Sequence, residues 1–87
     1  MAYVTNAIIA RIHWCRSQRL EARTALELQE WRAEEEGLRD AILKIDHTDA
    51  YRQFPREVFE RYTMGLQDGQ MLIRYQSVSE DFASHRP

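Results

Sequence analysis

Four arginines and a tryptophan in the first quarter of the chain have the types and spacing best suited to binding chemistry. Arg16, Arg19 and Arg23 are three and four residues apart, so a helix presents them on one face, with Arg11 at its edge and Trp14 nearby. Guanidinium groups beside an aromatic ring can bind phosphates and stack on a base, or can supply the main contacts of a protein interface. We therefore predict that these five residues form a partner-binding surface.

The cysteine, histidine, acidic and glycine residues do not have the spacing of a catalytic, metal-binding or cofactor-binding site. Cys15 lies two residues after His13, and a helix places such residues on opposite faces, so they cannot form a nucleophile–base pair. We interpret Cys15 as a small buried side chain and the acidic run 34–36 as a solvated face. The sequence contains neither a glycine-rich phosphate loop nor zinc-ligand spacing. We predict a protein that is not an enzyme, with no catalytic, cofactor-binding or metal-binding residues.

The composition is that of one small folded domain over residues 1–87. Apolar residues make up 44%, charged residues 30%, and the net charge is −2. A single cysteine permits no internal disulfide, and the apolar runs are far shorter than the roughly 20 residues of a membrane span. We expect a cytoplasmic protein that does not bind membranes. Eleven arginines against one lysine are typical of a GC-rich genome, either of a bacterium or of one of its phages.

The elements that must position these residues are helices. No proline precedes Pro55, Gly37 is the only glycine before it, and good helix formers predominate. We predict a first helix from about residue 5 to 45, roughly 60 Å long, either straight or kinked near Gly37. A short helical joint follows at 46–55, and a second long helix begins at Pro55. Helix is favoured over strand for residues 71–75, and about residues 1–4 and 80–87 should fray.

Charge and apolar patterns both favour self-association. Residues 1–23 carry four arginines and one glutamate (+3), whereas residues 24–50 carry eight acids and three bases (−5). Opposite blocks on one helix favour antiparallel pairing with a second copy, the basic end against the acidic middle, although both could also be solvated faces. Gly65 and Gly69 would let another helix approach closely. The apolar residues predicted to mediate self-association are Ile8, Ile12, Leu26, Trp31, Tyr62 and Leu66.

The predicted fold is therefore all-α: a long helical hairpin with coiled-coil spacing that assembles as a helical-bundle oligomer, a homodimer or larger. A lone hairpin would leave apolar surface in water, which pairing would bury. The predicted function is protein–protein interaction, as a regulator or inhibitor of a bacterial host protein encoded by a phage or mobile element. Two alternatives stay open: a nucleic-acid-binding regulator that uses the Arg16, Arg19 and Arg23 row, and a structural assembly component.

Overall fold

The computed structural model describes the backbone of residues 2–84 and the side chains of residues 7–75. It contains four helices: α1 (Ala2–Glu21), α2 (Ala25–Leu43), α3 (Thr48–Tyr51) and α4 (Arg56–Ser84). No strand occurs in this part of the chain, so the all-α prediction is confirmed, including helix at residues 71–75. The helices extend into both segments expected to fray, and residues 1 and 85–87 lie outside the description. No helix in the described part is long and apolar enough to cross a bilayer.

The first long helix is interrupted at residues 22–24. Thr24 adopts an extended backbone, and its hydroxyl oxygen accepts a hydrogen bond from the backbone N–H of Glu27 at 3.0 Å. This is an N-cap, which satisfies a donor that the first turn of α2 would otherwise leave unpaired. The Glu27 carboxylate in turn accepts from the backbone N–H of Arg23 at 3.3 Å. The break predicted as possible near Gly37 lies instead at residues 22–24, and α2 continues through Gly37.

α1 and α2 form the helical hairpin of this fold. The C-terminal part of α1 lies beside the middle of α2, where Arg19 contacts Glu35, and Ile9, nearer the start of α1, lies beside Leu43 at the end of α2. The two helices are therefore antiparallel. The predicted hairpin joined the helices on either side of the 46–55 joint, whereas this antiparallel pair lies within the segment predicted as one helix, straight or kinked near Gly37.

α4 runs parallel to α2 because the joint between them folds back along α2. Lys44 ends α2 in the left-handed conformation, with φ at 60°. The chain then returns past Asp40, which contacts His47, and past Glu36, which accepts a hydrogen bond from Tyr51. α4 thus begins beside the first half of α2. The short helical joint that the sequence predicted is confirmed as α3.

Three glycines bring α2 and α4 into backbone contact. A Cβ atom on Gly37 would meet the backbone of Tyr62 and Leu66, and one on Gly65 would meet the backbone of Glu34. A Cβ atom on Gly69 would lie 2.6 Å from the Cβ of Ala41. The close approach predicted for Gly65 and Gly69 is confirmed, and the approaching helix belongs to the same chain.

The core has two connected clusters on either side of this contact. One lies between α2, α3 and α4, and the other lies where α1 packs against both long helices. The buried residues of the first are Ala33, Ala41, Tyr51, Val58, Tyr62 and Leu66, and those of the second are Ile8, Ile12, Cys15 and Leu38. The core therefore fixes α1 on α2 and α4 and leaves the outer edges of the α1–α2 hairpin exposed.

Candidate functional site

The predicted arginine row is largely occupied by contacts inside the chain. Arg11 donates to Glu34 and to Asp68, each at 3.0 Å, and thereby links α1 to α2 and α4. Arg61 of α4 donates to the other oxygen of Glu34 at 2.8 Å. The Glu34 side chain is only 3% exposed. A buried carboxylate needs such partners, since an unpaired charge in the interior is strongly destabilising.

Glu35 is the second buried carboxylate. Arg16 contacts it at 3.1 Å, Arg19 at 3.0 Å and Arg39 at 3.4 Å, and its side chain is only 6% exposed. The interpretation of the acidic run as a solvated face is therefore wrong for Glu34 and Glu35. Both lie on the faces of α2 that α1 and α4 cover, and arginines from three helices neutralise them. The basic end of the chain does meet its acidic middle, but the contact is within one copy.

Cys15 lies fully buried where these helices meet. Burial raises the pKa of its thiol to about 12, and the nearby Glu34 carboxylate acts in the same direction. The thiol therefore stays protonated at neutral pH. This agrees with the interpretation of Cys15 as a packed side chain and disfavours a role as nucleophile.

Two of the five predicted partner-binding residues lie on the surface outside these ion pairs. Trp14 is 54% exposed on α1, and Arg23 is exposed at the break between α1 and α2. They are nine residues apart in the chain, with Arg16 and Arg19 between them. The structure thus brings Arg11, Arg16 and Arg19 together around two acids, and leaves Trp14 apart from them.

Most of the residues predicted to mediate self-association are used inside the chain. Ile8, Ile12, Tyr62 and Leu66 are at most 6% exposed and belong to the two core clusters. They therefore present no surface to a second copy in this fold. Leu26 is half-exposed. Trp31 is partly buried beneath the Arg61 guanidinium, which lies 4.3 Å from the ring centroid, a cation–π contact.

An apolar groove runs along the seam between α1 and α2, and sequence reasoning missed it. Ile9, Ile42 and Leu43 are 40%, 41% and 64% exposed, and they line the same groove of about 440 Å³. Its remaining lining residues are Ile12, His13, Arg16 and Arg39. The lining thus combines large aliphatic side chains with two guanidinium groups, and it includes no carboxylate among the described residues. This groove, defined by these seven residues, is the candidate functional site.

One sequence signal pointed to the groove. Apolar residues on α2 change from one helical face to another, so that Ile42 cannot face the same neighbour as Ala33. A helix with apolar residues on two faces packs between two neighbours. The residues at the edge of that double contact, here Ile42 and Leu43, are then left partly exposed.

A polar cluster at the joint is a second concentration of ionisable groups. Asp40, buried to 4% exposure, accepts from the hydroxyl of Tyr62 at 2.6 Å and contacts Nδ1 of His47 at 2.7 Å. The backbone N–H of His47 donates to the same Tyr62 hydroxyl at 2.7 Å. These bonds tie the end of α2 and the joint to α4.

The protonation states of this cluster follow from the same contacts. The hydrogen bond and charge of Asp40 raise the pKa of His47. Burial, together with hydrogen bonds to the carboxylates, raises the pKa of Tyr51 and of Tyr62. Ligand atoms of Glu36, Asp40 and His47 lie within 4.8 Å of one another, a spacing that a cation could bridge. However, these groups already bond to one another and to the tyrosines, so the cluster is explained as the polar core of the joint.

In comparisons with models of protein families, with curated proteins and with solved structures, nothing matches this chain.

Proposed function

We propose that this chain is a non-enzymatic protein that binds another protein by docking an amphipathic, acidic helix into the α1–α2 groove. The observation that carries the proposal is the exposure of Ile9, Ile42 and Leu43 within one groove bordered by two arginines. Scattered exposed aliphatic residues are ordinary, but a contiguous apolar groove with a charged rim is typical of an interaction site.

The shape of the groove favours a helix as its occupant. The seam between two antiparallel helices is elongated and straight, and a third helix can lay an apolar stripe along it. Isoleucine and leucine side chains on both walls would contact positions three and four residues apart on that helix. Its burial would be driven by the aliphatic area removed from water, at about 25 cal/mol per Å².

The charge of the rim favours acidic residues beside that stripe. Arg16 binds Glu35 through Nε, which leaves the terminal amino groups of its guanidinium as further donors. Arg39 is half-exposed, and its contact with Glu35 is longer, at 3.4 Å. One carboxylate thus stands against three guanidinium groups here, since Arg19 binds the same Glu35. The remaining hydrogen-bond donors of Arg16 and Arg39 would favour a carboxylate over a basic side chain at the rim of the groove.

We further propose that such binding regulates or inhibits a bacterial host protein and that the chain is encoded by a phage or mobile element. The small size and the strong preference for arginine over lysine support this source. The nucleic-acid alternative loses support because Arg11, Arg16 and Arg19 each neutralise an internal carboxylate. A row whose charge is already compensated attracts a polyanion weakly.

The test is a pull-down with two matched leucine variants. Leu43 and Leu20 are both exposed, at 64% and 89%, but only Leu43 lines the groove. Tagged wild type, Leu43→Gln and Leu20→Gln would be incubated with nuclease-treated lysate of a GC-rich bacterium, and bound proteins would be quantified by mass spectrometry. We expect a protein partner that wild type and Leu20→Gln retain and that Leu43→Gln loses.

Charge is tested in the same way with Arg39→Gln against Arg52→Gln. Arg52 is an exposed arginine of the joint that contacts Asp49, far from the groove lining. Only Arg39→Gln should weaken capture of the partner. Equal capture by both leucine variants, or a partner recovered only from a parallel lysate without nuclease, would refute the groove as the docking site.

A further inference from the structure

We propose that α1 exchanges between two copies of this chain, so that residues 22–24 become helical and α1 of each copy docks on α2 and α4 of the other. In the closed chain, α1 folds back on its own α2. In the exchanged dimer, α1 and α2 of one copy form a continuous helix, antiparallel to that of its partner. This inference does not depend on the proposed function.

No residue in the segment between α1 and α2 prevents a continuous helix. Residues 20–26 read Leu-Glu-Ala-Arg-Thr-Ala-Leu, with neither glycine nor proline, and most are good helix formers. Helices normally end at residues that cannot continue them. Here the turn is held by the Thr24 cap and by the packing of α1. Straightening the segment adds backbone hydrogen bonds of the helix, and it loses the Thr24 cap and the bond from the Arg23 backbone N–H to the Glu27 carboxylate.

The surface of α2 and α4 that contacts α1 can bind α1 of the same chain or α1 of a second copy. The contacts of α1 are the pairing of Arg11, Arg16 and Arg19 with acids of α2 and α4, and the packing of Ile8, Ile12 and Cys15 around Leu38. None of these contacts depends on the connection through residues 22–24. An α1 from a second copy would form all of them in the same orientation, which is the condition for exchange of an element between protomers.

Two-fold symmetry allows both copies to exchange α1 at once, so that no docking surface for α1 is left unoccupied. Since α1 and α2 are antiparallel in the closed chain, two straightened chains lie antiparallel with both breaks at their midpoint. Each basic α1 then faces the acidic part of the partner's α2, and each groove is rebuilt from α1 of one copy and α2 of the other. The assembly is a closed dimer without unmatched α1 surfaces.

Variants of the break shift the balance between the two forms in opposite directions. Thr24→Ala removes the cap from the closed chain, which should favour exchange roughly fivefold per break and roughly 25-fold per dimer. Ala22→Gly disfavours a continuous helix by a similar factor. Thr63→Ala is the matched control, because Thr63 makes one hydrogen bond with the Glu60 carbonyl within α4, away from the break. Circular dichroism would verify that each variant is folded.

The experiment measures dimerisation by sedimentation equilibrium, followed by the distance within one chain. Cysteines would replace His13 and Leu43, which line the same groove in the closed chain and lie about 45 Å apart along a continuous helix. Spin labels attach to these exposed sites while Cys15 stays buried. Dilution with unlabelled chains leaves only the distance within a chain for electron-resonance measurement.

We expect Thr24→Ala to dimerise more strongly than wild type, Ala22→Gly more weakly, and Thr63→Ala equally. The dimer fraction should show the long distance, and the monomer fraction the short one. A dimer that keeps the short distance would overturn the proposal, because it would join intact hairpins by their surfaces. A Thr24→Ala variant that dimerises no more than Thr63→Ala would overturn it as well.

Discussion

The contact between Gly69 and Ala41 supports a quantitative prediction about packing. A methyl group added at Gly69 would lie 2.6 Å from the Cβ of Ala41, whereas carbon atoms pack at about 3.5–4.0 Å. The two helices would have to separate, and overpacking of this kind costs typically 1–3 kcal/mol. Alanine gains about 1 kcal/mol over glycine from helix propensity. We therefore expect Gly69→Ala to lower the free energy of unfolding by about 1 kcal/mol.

The reverse change at Ala41 removes the opposing methyl group. Ala41→Gly loses about 1 kcal/mol of helix propensity and roughly 0.8 kcal/mol for a buried carbon. The double variant moves one methyl group across the interface, so that both the propensity changes and the volume changes cancel. Its stability should be close to that of wild type. The singles together would predict a loss of about 3 kcal/mol, which is then the coupling energy of the cycle.

Urea unfolding followed by circular dichroism would measure all four proteins at one concentration. Equal slopes against urea would show that the same surface is exposed in each case. If the double variant were as unstable as the sum of the singles, the coupling would be absent. That result would refute the close α2–α4 packing from which the magnitude was derived.

Three further predictions concern the buried acids, the joint and the cysteine. Glu35→Gln should lower the free energy of unfolding by about 2 kcal/mol, because its arginine partners would lose a buried countercharge while keeping some contact with water. The control is Glu60→Gln, which changes an exposed pair with Arg56. Equal urea midpoints for the two variants would contradict the prediction. The raised pKa of His47 means that protonated His47 stabilises the fold. This contribution should be complete below the ordinary pKa of about 6.5 and lost as pH rises through the raised value. Melting temperatures measured against pH should therefore fall over this range in wild type, and His47→Gln should lack this part of the fall. Cys15 should react with a thiol reagent only as fast as the chain opens, because it is buried and its pKa is about 12; rapid labelling of the native protein would disprove this.

Local patterns predicted the helical content and the joint. The absence of proline before Pro55, with Gly37 the only glycine, predicted long helices. The cap residues before that proline predicted the short helical turn that is α3. The spacing of Gly65 and Gly69 identified a close helix contact. These signals act within one or two turns, so they can be read from consecutive residues.

The arrangement of the helices could not be read in this way. The break at residues 22–24 contains neither glycine nor proline, and its one local signal is the capping pair of Thr24 and Glu27, two residue types that also occur within helices. Charge complementarity between the basic and acidic blocks was recognised, but it does not distinguish a contact within one copy from a contact between copies. The groove was missed for the same reason: the exposure of Ile42 and Leu43 is set by where α1 ends on α2.

The contact between α2 and α4 differs from the contact that α1 makes with them, and this implies that α1 can open separately from the rest of the domain. α2 and α4 meet backbone to backbone at three glycines, so neither can separate without losing close packing along its length. α1 is held by a smaller apolar cluster and by arginines that reach partly into solvent. Salt weakens such contacts more than it weakens close packing. Amide hydrogens of α1 should therefore exchange through partial opening of that helix, while those of α2 and α4 exchange through unfolding of the whole domain. On this view α2 and α4 open together, whereas α1 can detach from them and return without unfolding of the domain.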